Sequence, residues 1–190
     1  MALRLTLIAH AATCARKTAA FSLDEPIETT PEATPGLHGL KRLAGRTTRF
    51  FHGPELRTRQ TAALLASNSE VDEALRDCDL GEWKGRALEA LLSREAQHIA
   101  AWMADWEATP HGGESIAQLY QRVGAWMDAL TGTGHLVAVT HPFVIRAALM
   151  RVLQCPPQAF HAIDVEPLAA VDLRFNGTWR LRALSLLAGG

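Results

Sequence analysis

Cysteine is scarce in this chain of 190 residues: Cys14, Cys78 and Cys155 are scattered, odd in number and form no CxxC pair. That excludes a disulfide framework and a zinc–thiolate site, and makes a reducing cytoplasm the default expectation. Long apolar runs are lacking too: no stretch approaches the roughly 18 uninterrupted apolar residues that a membrane span needs. The opening MALRLTLIAH carries one Arg and a short apolar run, without the apolar core length or cleavage site of a signal peptide. Net charge is nearly absent at −1, so nothing draws the whole chain to nucleic acid or to acidic membranes. There is no internal repeat and no low-complexity segment.

Several chemistries lack their letters. GxxxxGK[ST] and HExxH do not occur, and no two histidines stand three or four apart, so the P-loop and histidine-rich metal readings fall away. A cysteine phosphatase needs Arg six residues after its Cys, where Cys14, Cys78 and Cys155 are followed by Ala20, Lys84 and His161. DCDLG (77–81) has the paired aspartates of an aspartyl-phosphate enzyme. It lacks the Thr or Val at the fifth position and a fully apolar strand before it.

What is present describes an ordinary globular protein, 48% hydrophobic and 21% charged, of a length that fits one domain. Residues 1–60 hold nine Lys/Arg against five Asp/Glu, a balance that suits an anionic ligand and equally a solvated surface. LRLTLIA (3–9) reads as a strand that becomes fully buried toward Ile8. Residues 11–36, with three prolines, read mainly as a long loop, and such loops are often functional. GLHGLKRLAG (36–45) predicts a short helix and TTRFFHG (47–53) a second strand. ELRTRQTAALLA (55–66) predicts a helix with its apolar face at Leu56, Ala63 and Leu64. Residues 71–85 look irregular, and Arg86 to Glu107 is helical in pattern.

The clearest helix is ESIAQLYQRVGAWMDAL, where Ile116, Leu119, Val123, Trp126, Met127 and Leu130 follow the helical period. Ser115 with Gln118 predicts a capping box at its start, beside Glu114. HLVAVT (135–140) is a short apolar strand, and Pro142 fits the first turn of a following helix. VEPLAAVDLRF and TWRLRAL read as closing strands around Asn176-Gly177, a hairpin signal. Strands alternating with helices imply an α/β fold with a mostly parallel sheet.

Two histidines take the same architectural place, His10 after the first strand and His141 after HLVAVT. Ligands of open α/β sheets bind beyond the carboxyl ends of the strands, so both are candidates for one site, although packed histidines are commoner. Arg57 falls in the first turn of a helix, where backbone N–H groups and a guanidinium act together on an anion, with Arg59 as its competitor. Glu114 at a helix start is a further candidate, against the alternative of a solvated carboxylate favoured by the helix dipole.

Taken together these segments resemble the histidine phosphatase superfamily, the phosphoglycerate-mutase-like fold. Ala9-His10-Ala11-Ala12-Thr13 corresponds to its Arg-His-Gly-x-Thr, and GPELRTRQTA (53–62) to Ser-Pro-x-x-Arg-x-x-Gln-Thr-Ala, which selects Arg57 over Arg59. DLGEWKG (79–85), HGGES (111–115) and VAVTHP (137–142) resemble three further segments, in the family's order. The resemblance implies a three-layer α/β domain over residues 1–190, its mostly parallel central sheet flanked by helices, with a substrate-covering insertion around 86–113. It implies that His10 attacks phosphorus, that Arg57 and His141 hold phosphoryl oxygens together with Thr13, and that Glu114 protonates the leaving oxygen. No metal or cofactor is implied. The partner is a small phosphorylated substrate or inorganic phosphate.

Two departures stand out. Ala9 replaces the family's first arginine, and Ala11 replaces a glycine whose backbone freedom or close phosphate approach is thereby put in question. Arg16 or Lys17 is a candidate to supply the missing charge, the alternative being two solvated loop cations. Two functions remain: a metal-independent phosphomonoesterase slowed by the loss at Ala9, or a degenerate relative that binds a phosphorylated ligand or partner without turnover. Specificity is expected in the 11–36 loop and the 86–113 segment. Trp83, Trp102 and Trp106 are candidates for lining there or for ordinary core.

Overall fold

The computed structural model describes residues 2–28, 37–44 and 49–185. The 29–36 part of the long loop and the ends of the neighbouring helix and strand expectations lie outside them. Among the described residues six strands form one sheet: β1 (Leu3–Ala9), β2 (Arg49–His52), β3 (Glu70–Val71), β4 (Gly134–Thr140), β5 (Ala170–Phe175) and β6 (Trp179–Ser185). Their order is β3-β2-β4-β1-β5-β6. The first four run parallel, and β5 and β6 return antiparallel as a hairpin at one edge. Gly177 in its turn has φ +94°, the left-handed region that the Asn-Gly signal anticipates.

Helices pack on both faces: α1 (Cys14–Lys17), α2 (Leu37–Ala44), α3 (Leu56–Leu65), α4 (Leu88–Arg94), α5 (Ala96–Ala104), α6 (Ile116–Ala129) and α7 (Pro142–Leu153). Alternation along β1 explains the two cores. Leu3, Leu5, Leu7 and Ala9 enter one cluster with residues of α6 and α7, and Ile8 enters the other with residues of α2 and α3. Each fully buried leucine contributes about 1.5–3 kcal/mol relative to exposure. The expected capping box at α6 forms, with Ser115 Oγ accepting from Gln118 N and Gln118 Oε1 from Ser115 N.

The buried face of α3 differs from the expected one. Ala63 is exposed and Leu64 half-buried, while Arg57, Thr58, Thr61, Ala62 and Leu65 turn inward. Apolar periodicity missed this because three of those five residues are polar and are buried with hydrogen-bond partners.

Candidate active site

The register of the parallel pair β1 and β4 builds the site. Ala9 pairs with Thr140, so the residues that follow, His10 and His141, leave the sheet side by side. Their ring centroids stand 5.3 Å apart, edge to face. On the other side of β4, β2 is followed by Gly53, whose N–H donates to Val139 O, and α3 begins three residues later. Arg57 therefore rises in the first turn of α3 beside both histidines. The four parallel strands end at one rim, where ligands of such sheets bind.

His10 is 9% exposed. Its Nδ1 lies 2.8 Å from Ala11 O. A carbonyl oxygen only accepts, so Nδ1 carries the proton of the neutral ring and the lone pair stands on Nε2. Burial foremost, and then the charges of His141 and Arg57, depress the His10 pKa to about 4. Ala11 sits outside the left-handed region, and its N–H donates to Thr61 Oγ1 at 2.9 Å. The glycine of the resembled signature is thus replaced without backbone strain.

Arg57 is almost wholly buried. Nη2 donates to Asp77 Oδ2 at 2.6 Å and Nη1 to Leu23 O at 2.8 Å, while Nε is buried without a partner. His141 is wholly buried. Its Nε2 lies 2.7 Å from Glu55 Oε2, and its Nδ1, also without a hydrogen bond, lies 3.3 Å from Asp77 Oδ2. Two orphaned buried nitrogens beside a histidine lone pair are groups that an oxyanion would satisfy. Asp77 is the carboxylate of this cluster. Burial works against its charge, but His141, Arg57 and His10 outweigh it and hold its pKa below the ordinary value.

Glu114, the expected acid, is paired with Arg122 and Arg76. Its carboxylate accepts from Arg122 Nε at 2.8 Å and Nη2 at 2.6 Å. Arg122 in turn donates to the carbonyls of Ala74, Arg76 and Asp77. Through Arg122, Glu114 thus anchors the segment that carries Asp77. Asp77 was missed because it lies in an irregular stretch, and nothing local to DCDLG says that Arg57 ends up against it. The paired-aspartate pattern was the only signal.

A cavity of about 670 Å³ opens over the cluster, lined by His10, Thr13, Glu55, Arg57 and Asp77 among others. Arg16 also lines it, but is paired with Glu166 at 2.5 Å. Lys17 does not line it and is paired with Glu28 at 2.7 Å. Residues 12–24 contribute much of the wall, as expected for the 11–36 loop, whereas no residue of 86–113 lines it. Trp83 and Trp102 are core, packed behind the wall residue Phe21, and Trp106 packs on Tyr120. Ala9 is wholly buried in the same core. Among the described residues no cluster of His, Cys, Asp and Glu is placed to hold a metal ion, and no helix is long and apolar enough to cross a membrane.

The chain has recognisable relatives. The adenosylcobalamin/alpha-ribazole phosphatase of Salmonella typhimurium is 29% identical over 189 residues, covering 90% of this chain and 91% of that protein. Its counterpart from Escherichia coli is 28% identical over 185 residues, covering 90% of each. Among solved structures, a phosphoserine phosphatase mutant from Entamoeba histolytica in complex with phosphoserine has a TM-score of 0.84 at 18% identity, over 97% of this chain and 98% of that one. A putative alpha-ribazole-5′-P phosphatase from Escherichia coli has a TM-score of 0.81 at 24% identity, over 100% and 99%. These structures share the fold. The family pattern itself matches from residue 6 to residue 185, from within β1 to the end of β6, and so the chain belongs to the histidine phosphatase superfamily, branch 1.

Proposed function

We propose that the chain is a metal-independent phosphomonoesterase that acts on a small phosphorylated metabolite through a phosphohistidine at His10. The observation that carries this reading is the Nδ1–H bond to Ala11 O, which leaves Nε2 as a free nucleophile on a ring kept neutral by its surroundings. Nε2 attacks phosphorus as the bond from phosphorus to the alcohol oxygen breaks. Arg57 Nε and His141 Nδ1 donate to the phosphoryl oxygens and stabilise charge in the transition state.

Asp77, not Glu114, is the acid in this reading. A phosphomonoester bound as its monoanion brings one acidic proton, which passes to Asp77 and from there to the leaving oxygen. The Asp77 carboxylate next takes a proton from the water that attacks the phosphohistidine, and returns it to the departing phosphate. His10 is restored.

The test is hydrolysis of p-nitrophenyl phosphate, phosphoserine and alpha-ribazole 5′-phosphate, with isolation of an acid-labile phosphoenzyme. Turnover and phosphoenzyme should both vanish in His10→Ala, and hydrolysis that survives this substitution would overturn the assignment. A second reading, phosphate binding without turnover, is favoured by Ala9. It is supported if the natural chain binds phosphate without hydrolysing any ester and Ala9→Arg confers hydrolysis.

A further inference from the structure

Among the described residues, five cations border the cavity: Arg16, Arg57, Arg76, Lys84 and Arg146. Four have a carboxylate within 3.5 Å: Glu166, Asp77, Glu114 and Asp79 respectively. Arg146 is different. Its nearest carboxylate is Asp164 at 3.8 Å, whose side chain is 96% exposed while that of Arg146 is only 18% exposed. Its Nε is buried with no hydrogen-bond partner. The guanidinium lies 5.3 Å from the ring of Phe143 and 5.6 Å from that of Phe160. Rings soften the cost of burying a cation but accept no hydrogen bonds from the edge of its fork. Burial lowers its pKa, as expected where a charge is desolvated with little opposite charge nearby.

A largely desolvated, under-neutralised arginine at a cavity wall is costly in isolation and gains a partner when an anion binds. Arg146 lies one turn into α7, and helical side chains lean toward the N-terminus, here toward His141 and Pro142. Phe143, Val165 and Pro167 line the cavity with it, which gives the charge an apolar surround. The transferred phosphoryl already has Arg57 and His141.

We propose that Arg146 is a specificity-determining subsite that binds a carboxylate on the alcohol part of the substrate, so that the preferred esters are phosphorylated hydroxy acids. The planar fork matches a carboxylate in two parallel hydrogen bonds. This rests on the phosphatase reading above and deepens it.

The test compares 3-phosphoglycerate with glycerol 3-phosphate, which share a carbon skeleton and differ in carrying a carboxylate or a neutral hydroxymethyl group. Arg146→Met should lower kcat/KM for 3-phosphoglycerate about 10- to 100-fold, the worth of hydrogen bonds to a charged group, and leave glycerol 3-phosphate within about 3-fold. Arg146→Lys should recover part of the loss. Equal losses on both esters, or none on either, would overturn the subsite. Unchanged glycerol 3-phosphate turnover also shows that the variant is folded. If the natural chain hydrolyses neither these two esters nor p-nitrophenyl phosphate, phosphoserine or alpha-ribazole 5′-phosphate, the phosphatase reading fails separately. Calorimetric binding of the two esters to natural chain and Arg146→Met then decides the subsite by the same contrast.

Discussion

His141 Nε2 lies 2.7 Å from Glu55 Oε2, in space left open because residue 53 is glycine. A Cβ on Gly53 would stand 3.0 Å from that carboxylate oxygen, 3.3 Å from the ring nitrogen and 2.9 Å from Leu75 O. The resembled family signature has serine at this position. Here the longer Glu55 reaches back from the start of α3, and its other oxygen accepts from Asp77 N at 2.8 Å. One carboxylate thus orients both partners of His10. Its acceptor fixes a proton on Nε2 and turns Nδ1 toward Asp77.

Glu55→Ala is expected to lower kcat about 10-fold with a smaller change in KM, the loss of a charge-assisted hydrogen bond. Glu55→Gln should fall less, since its amide oxygen still accepts. The Nε2–H resonance of His141 should lose its hydrogen-bonded shift in the alanine variant. An alanine variant with unchanged kcat would dismiss the positioning role. Gly53→Ser should lower stability, because Leu75 O is backbone and cannot step aside.

The displaced pKa of His10 sets a pH dependence. Its nucleophilic form persists down to about pH 4, not to the ordinary value of 6.5. The proton for the leaving oxygen enters with the substrate monoanion, whose second ionisation lies near pH ~6. The profile of kcat/KM should therefore peak in mildly acidic solution, and an acid limb near the ordinary histidine value would contradict this. Stability follows with a definite sign. Between 6.5 and about 4 the unfolded chain takes a proton on His10 that the folded chain refuses, so stability falls as pH falls. His10→Gln should remove that part of the slope in denaturant titrations.

The sequence carried the strands, the helix order and the two strand-end histidines because apolar alternation and helical period are local properties. A helix start next to a strand end is visible in the letters too, and offered Arg57 with Arg59 as its competitor; only the resemblance chose between them. Asp77 and Arg146 were not legible. Asp77 becomes part of the site through contacts with Arg57 and His141, 20 and 64 positions away. Arg146 looks like an ordinary cation on an apolar helix until its partial burial and its unpartnered Nε are seen. The partners of Glu114 were not legible either, because a carboxylate at a capped helix start has the same letters whether it faces a cavity or an arginine.

Arg16 carries a separate prediction. It lines the cavity, but 58% of its side chain is exposed and Glu166 already holds it. Exposed pairs of this kind are worth about 0–1 kcal/mol. Arg16→Ala should therefore change kcat/KM and phosphate inhibition by less than about 3-fold. A loss of about 10-fold or more in either would restore Arg16 as the substitute for the charge missing at Ala9.

Asp77 and Glu114 can be separated by leaving group. Without its general acid the enzyme must expel a bare alkoxide from an alkyl phosphate, whereas p-nitrophenolate leaves unaided. Asp77→Asn should cut kcat on an alkyl phosphate by about 10²- to 10⁴-fold and affect p-nitrophenyl phosphate far less. Glu114→Ala leaves Arg122 nearly buried with its charge unmatched, at a cost of about 3 kcal/mol, and loosens the carbonyls it holds around Asp77. Its effect should appear as a lower melting temperature, with kcat reduced by similar factors on both esters. If Glu114→Gln instead shows the leaving-group dependence and Asp77→Asn does not, Glu114 regains the acid role. A carboxylate that supplies the proton is read by the leaving group, and one that props up its neighbour is not.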